Sequence, residues 1–122
     1  METQFLKWLL PQLNKDHRLE VLPGDDAAVL RFPGGKRTVV TTDLLTESVD
    51  FRFSKSSVDN DFPPPASAYQ VGRKAVAVSL SDLAAMAATP EAIVVSVALP
   101  QLGGRSLAEE LFSGIQEEVN AF

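Results

Sequence analysis

The sequence predicts an α+β fold, a mixed α/β sandwich in which a roughly four-stranded sheet carries helices on one face. Three patterns support this. Two β-favouring runs joined by a turn predict a hairpin over residues 27–42. Small apolar residues at helical spacing predict a helix over 67–88, and the valine-rich run 91–100 is typical of a central strand. At 122 residues the chain is one domain in length, 1–122.

An amphipathic helix is predicted first. Apolar residues recur near helical spacing from Thr3 to Leu13, and Pro11 is expected to end or kink the helix. The next segment is polar and contains the only histidine, His17, which we interpret as a solvated residue.

The hairpin consists of strands at 27–32 and 37–42, with a turn over residues 33–36. A third short strand is predicted over 44–51, extended to Phe53. Residues 54–66 are rich in Ser, Asp, Asn and Pro, which predicts a loop, either a plain surface excursion or a functional lid.

Acidic residues lie at the open end of the hairpin. Asp25 and Asp26 precede its first strand, and Asp43 follows its second. Each group alone is explained by turn chemistry or a strand end. Because the two places are neighbours in a ribbon with strands of similar length, the carboxylates are expected to lie close together.

A single carboxylate, Asp82, interrupts the small apolar run 76–87 of the long predicted helix. In a buried helix an isolated charge costs several kcal/mol unless it is paired or bound to metal. A cationic partner is therefore expected at Asp82. Thr89 and Pro90 end the helix.

The last predicted helix begins at Ser106, with Glu109 completing a capping box. Its apolar residues, expected to face the core, are Leu107, Leu111, Phe112, Ile115 and Val119. Its acidic residues, expected to face water, are Glu109, Glu110, Glu117 and Glu118.

Composition excludes several classes of function. The chain has 45% hydrophobic and 22% charged residues, as in ordinary globular proteins, and no cysteine for disulfides or thiolate metal sites. The net charge of -5 disfavours nucleic acid as a partner. The amino terminus lacks the features of a signal peptide, so a cytoplasmic protein without membrane attachment is expected.

The available chemistry is that of oxygen ligands. No P-loop or G-x-G-x-x-G occurs, and the single histidine argues against zinc or Ser-His catalysis. Carboxylate and hydroxyl oxygens are the donors that Mg²⁺ prefers. Such donors are available at Asp26, Thr42, Asp43 and Asp82.

Four motifs carry a family resemblance. They are GDDAAVL at 24–30, TTDLL at 41–45, GRKA at 72–75 and SLSDLAAM at 79–86. In this order they resemble the amino-terminal domain of the thiamine-monophosphate kinase family, within the aminoimidazole-ribonucleotide synthetase-like superfamily. The resemblance covers nearly the whole chain, which is expected to correspond to the amino-terminal domain without the family's carboxy-terminal domain.

The resemblance implies a Mg²⁺-dependent transfer of the ATP γ-phosphate to thiamine phosphate, giving thiamine diphosphate and ADP, with no covalent nucleophile on the protein. It implies that Asp50 contacts thiamine phosphate and that a homodimer forms through the sheet edge. The implied magnesium ligands are Asp26, Thr41, Thr42, Asp43 and Asp82.

Two alternatives remain open at this point. The chain could be a non-catalytic dimerisation or docking module that retains an inherited acidic cluster. It could also be a superfamily member with a different phosphoryl acceptor.

Overall fold

A computed structural model describes residues 2–13, 16–21, 25–53 and 64–122. The described residues contain three α-helices and a three-stranded antiparallel sheet, which confirms the mixed α and β content. The chain divides into two compact units. The first unit comprises Met1–Thr42 and Ser81–Thr89, and the second comprises Asp43–Leu80 and Pro90–Phe122.

The first unit begins with helix α1, Glu2–Leu9, followed by a 3-10 turn, Leu10–Gln12. The predicted effect of Pro11 is confirmed. Proline has no N–H for the carbonyl four residues earlier, and its ring clashes with that carbonyl. The α-helix therefore ends before it.

The sheet of the first unit consists of β1, Leu19–Val21, β2, Ala28–Arg31, and β3, Arg37–Val40, in that order. The β2–β3 hairpin is confirmed, with Ala28 paired to Val40 and Arg31 to Arg37. Its turn contains Gly34 and Gly35 at φ +94° and +82°, a conformation that glycine adopts without steric cost.

Strand β1 was not expected, because three residues carry too little pattern. Ion pairs as well as backbone hydrogen bonds hold β1 against the hairpin. Glu20 accepts hydrogen bonds from Arg31 and, at 2.7 Å, from Nε of Arg37. These guanidinium groups, Arg31 foremost, lower the pKa of the Glu20 carboxyl.

The second unit contains α3, Gly104–Asn120, and most of α2, Ala68–Ala85, which confirms both helices. The two backbones touch at a pair of glycines. A Cβ built on Gly72 would collide with the carbonyl of Leu111, and one built on Gly114 would collide with the carbonyl of Tyr69. The helices therefore meet where neither has a side chain.

Polar bonds flank the glycine contact. Arg73 Nε donates to Glu118 Oε2 at 2.8 Å, and the Tyr69 hydroxyl donates to Glu117. The bond to Glu117 raises the pKa of the Tyr69 hydroxyl, since it favours the protonated form.

The predicted start of α3 is wrong. The helix begins at Gly104 after Gly103, which has φ 74°. The Ser106 hydroxyl donates to the Gly103 carbonyl, and Glu109 pairs with Arg105, so no capping box forms.

The predicted orientation of α3 is also partly wrong. Phe112 and Val119 are 60% and 40% exposed, whereas Glu117 and Glu118 contact α2. Gly114 is buried in place of these apolar side chains. The face of α3 that carries Gly114 packs against α2. The positions of the apolar residues alone do not predict this orientation.

Neither of the other two predicted strands is present among the described residues. Residues 91–100 are exposed and form no strand, and 44–51 form a loop with a turn at 48–50. Only isolated bridges occur there, Glu47 to Phe51 and Arg52 to Pro65. A strand needs a hydrogen-bonded neighbour, and none of the described segments supplies one to 91–100.

The predicted loop at 54–66 lies mostly outside the described residues. Within the described ranges, no helix has both the length and the apolar character needed to cross a membrane.

Candidate functional site

The residue after β3 connects the hairpin of the first unit to Asp82 on α2. The Thr41 hydroxyl donates to Asp82 Oδ2 at 2.7 Å, in a partly buried contact. Asp82 therefore has the Thr41 hydroxyl as a hydrogen-bond partner, and its predicted cationic partner stays a prediction. The Asp82 side chain is half-buried, so it is more accessible than expected.

The same hydroxyl lies near the start of the hairpin. Thr41 Oγ1 is 3.3 Å from the backbone carbonyl oxygen of Asp26. Because a hydroxyl has one proton, the shorter distance favours donation to Asp82. The two ends of the ribbon are neighbours at Asp26 and Thr41, as follows from the pairing of Ala28 with Val40, whereas the predicted proximity of the Asp26 and Asp43 carboxylates stays a prediction.

The side chains of Asp26 and Thr42 are exposed. The backbone N–H of Asp26 donates to Asp25 Oδ1 at 3.0 Å, as expected of turn chemistry at this dipeptide. The first unit thus brings together the Asp82 carboxylate, the Thr41 hydroxyl and the Asp26 carbonyl.

Asp43 belongs to the second unit. Its Oδ2 accepts a hydrogen bond of 2.5 Å from the Ser79 hydroxyl on α2. Ser79 was not among the expected site residues. The only available signal was its place at the start of the 79–86 motif.

Asp50 also lies in the second unit, where it holds a turn. Its Oδ2 accepts from the N–H of Thr46 at 2.8 Å, and its own N–H donates to the Thr46 carbonyl. From α2, Lys74 Nζ donates to the Asp50 carbonyl at 2.7 Å. Lys74 was not predicted as a site residue, although it lies within the motif at 72–75.

The donor chemistry suits a hard cation. Thr41, Asp82 and Asp26 present hydroxyl, carboxylate and carbonyl oxygens, and Mg²⁺ binds these in preference to nitrogen or sulfur. The ranges that the structure describes contain no group of three His, Cys, Asp or Glu side chains placed to hold a metal. A cation here would accordingly rely on few carboxylates, which is usual for Mg²⁺ bound together with phosphates.

Comparison with known proteins gives a consistent result. The family model described as AIR synthase related protein, N-terminal domain, matches residues 24–122. A thiamine-monophosphate kinase of Rhodopirellula baltica is 35% identical over 129 residues, covering 100% of this chain and 38% of that protein. Those of Synechococcus elongatus and Bacillus subtilis are 40% and 29% identical, covering 75% and 95% of this chain.

The chain spans 38%, 25% and 33% of the length of these three relatives. No solved structure matches it significantly.

Proposed function

Since this chain belongs to the AIR synthase related family through its N-terminal domain, we propose that it provides the Mg²⁺ and ATP binding of a thiamine-monophosphate kinase. The reaction proposed for the whole enzyme is transfer of the ATP γ-phosphate to thiamine phosphate, giving thiamine diphosphate and ADP. ATP and thiamine phosphate are metabolites of the cytoplasm, which is the proposed location. The observation that carries the proposal is the contact of Thr41 with Asp82, because it joins two of the four motifs.

The proposed magnesium ligands are Asp26, Thr41, Thr42, Asp43 and Asp82. A hydroxyl can donate its proton to Asp82 and still offer a lone pair to a cation, so the Thr41 bond is compatible with a role as ligand. When bound, the cation supplies charge neutralisation at the phosphates. Asp43 enters this set from the resemblance and not from a contact with the others.

The protein's own contribution is binding and orientation. Phosphoryl transfer requires mainly that the two phosphates be held in line and their charge be offset, so no protein nucleophile is proposed. Asp50 is proposed to contact thiamine phosphate, whose thiazolium ring is cationic and suits a carboxylate. The hydrogen bond from Thr46 to one oxygen of that carboxylate holds it in place.

Ligand binding should be visible as stabilisation. With Mg²⁺ and a non-hydrolysable ATP analogue at ten times its dissociation constant, we expect about 1.4 kcal/mol of added stability, measured as a rise in Tm. The control is the same analogue with EDTA, which should give little rise because the phosphates would meet uncompensated carboxylates. An unchanged Tm with Mg²⁺ present would favour the non-catalytic module instead.

The homodimer through a sheet edge stays a proposal, and we propose that residues 91–100 supply the edge that pairs in it. In this exposed segment Val94 is 94% exposed, and Ile93, Val95, Val97 and Leu99 are 42–51% exposed. A β-branched, exposed run of this kind can pair with a second copy through its free backbone N–H and C=O groups. The proposal would account for a strand-like sequence that forms no strand within the described part of one chain.

The dimer can be tested by sedimentation equilibrium. Val95→Lys should shift the chain to the monomer mass, because a charge would enter the paired segment. Val119→Lys is a matched control, since Val119 on α3 is 40% exposed and Val95 is 42% exposed. A monomeric parent chain, or equal masses for parent and both variants, would contradict the proposal.

A further inference from the structure

The hydrogen bond between Ser79 and Asp43 indicates a role for Ser79, to which the sequence motifs assign none. Resting on the proposed function, we propose that Ser79 is a positioning residue that orients the Asp43 carboxylate for Mg²⁺ binding. The geometry that carries this is the 2.5 Å bond from the Ser79 hydroxyl to Asp43 Oδ2 in the second unit.

Ser79 and Asp43 differ in how firmly the backbone holds their side chains. Ser79 is half-buried on a long helix, so its position is set by the helix backbone. Asp43 is exposed and lies in residues 41–46, which form no regular secondary structure. A side chain on such a segment has free rotamers, and a bond to a helix removes that freedom before a metal arrives. Ser79 is therefore the fixed member of the pair.

The bond is also of a suitable kind. A hydroxyl donating to a carboxylate is charge-assisted and short. It occupies one lone pair of one oxygen, and the carboxylate retains others for a cation. Hydrogen-bonded outer partners orient metal ligands, and their removal typically lowers metal affinity 10–100-fold.

A second donor from α2 supports the same arrangement. Lys74 Nζ holds the Asp50 carbonyl, seven residues after Asp43. Within the second unit, α2 therefore anchors the segment 43–50 at both ends, by a side chain at Asp43 and by the backbone at Asp50. The anchoring applies to the segment that carries two of the acidic residues of the proposed function, Asp43 and Asp50.

The test is Mn²⁺ binding to the 122-residue chain, with the free ion measured by electron paramagnetic resonance as a probe for the Mg²⁺ site. We expect Ser79→Ala to weaken Mn²⁺ binding about 10–100-fold. Ser79→Asn keeps an N–H donor and should recover most of the affinity. Ser79→Cys retains the size of serine with a weak donor and should be intermediate, which provides a second variant if the alanine variant folds poorly.

Two controls separate positioning from general stability. Ser113→Ala removes a hydroxyl that donates only within α3, to the Glu109 carbonyl at 2.9 Å, and should leave Mn²⁺ affinity unchanged. In the Asp43→Asn background, Ser79→Ala should have no further effect on affinity, because the carboxylate it orients is gone. A merely structural role would give additive losses.

The outcomes distinguish this inference from the proposed function. Equal Mn²⁺ affinity in the parent chain and Ser79→Ala overturns the inference and leaves the proposed function standing. Absence of Mn²⁺ binding in the parent chain overturns the inference, and the Tm rise with Mg²⁺ and the ATP analogue then decides the proposed function separately. Additive losses in the double variant overturn the positioning role.

Discussion

Replacing Gly72 or Gly114 with alanine is expected to destabilise the protein by about 2–3 kcal/mol. The same substitution inside a helix normally stabilises by about 0.5–1 kcal/mol. Here the new Cβ meets the backbone carbonyl of Leu111 or Tyr69, which cannot move aside as a side chain can. The helices must separate, and their packing is lost. Urea or thermal unfolding would measure the change.

The matched control is Gly104→Ala, also in α3. A Cβ at Gly104 would lie 3.4 Å from the Cβ of Leu99, an ordinary van der Waals distance. Its effect should remain within about 1 kcal/mol, as for substitutions without a collision. A higher Tm for Gly72→Ala and Gly114→Ala would mean that helix propensity dominates and that the close contact does not form in solution.

Asp82→Asn should abolish most Mg²⁺-dependent nucleotide binding while preserving the fold. The amide oxygen can still accept the Thr41 hydrogen bond, so the variant removes the charge and keeps the contact. Two opposite unit charges 4 Å apart attract each other by about 4 kcal/mol at an effective dielectric constant of 20. Loss of the Asp82 charge removes an attraction of this order for the cation. A loss of at least about 100-fold in affinity, roughly 2.7 kcal/mol, is therefore expected.

The measurement is the Tm rise caused by Mg²⁺ with the ATP analogue. Glu109→Gln serves as the control, because it removes the same charge from an exposed pair with Arg105 on α3. That variant should keep the full rise. A normal rise in Asp82→Asn would exclude Asp82 as a ligand and leave its bond to Thr41 as a structural one.

Local patterns predicted most of the fold correctly. Helical periodicity identified α1 and α2, Pro11 marked where α1 ends, and turn residues identified the β2–β3 hairpin. These features depend on neighbours in sequence. The predicted strands at 44–51 and 91–100 depend instead on a pairing partner, which no local pattern specifies.

The candidate site was predictable to a similar extent. Ribbon geometry predicted that the two ends of the hairpin are neighbours, and Asp26 and Thr41 do lie together there. The proximity of Asp26 to Asp43 and the cationic partner of Asp82 stay predictions. Asp82 is half-buried, which makes it more accessible than the sequence predicted. Ser79 and Lys74 lie within the motifs at 79–86 and 72–75, but neither was predicted as a site residue, because a single polar residue on a helix has no distinguishing periodicity.

The glycine contact between α2 and α3 also limits how the sequence can change over time. Each glycine faces backbone atoms, which every residue type possesses, so no substitution at Leu111 or Tyr69 can make room for a larger residue opposite. Nor is there an amino acid smaller than glycine that could compensate. Paired, compensating substitutions should thus be absent at this contact, and methods that infer proximity from correlated substitutions would not detect it.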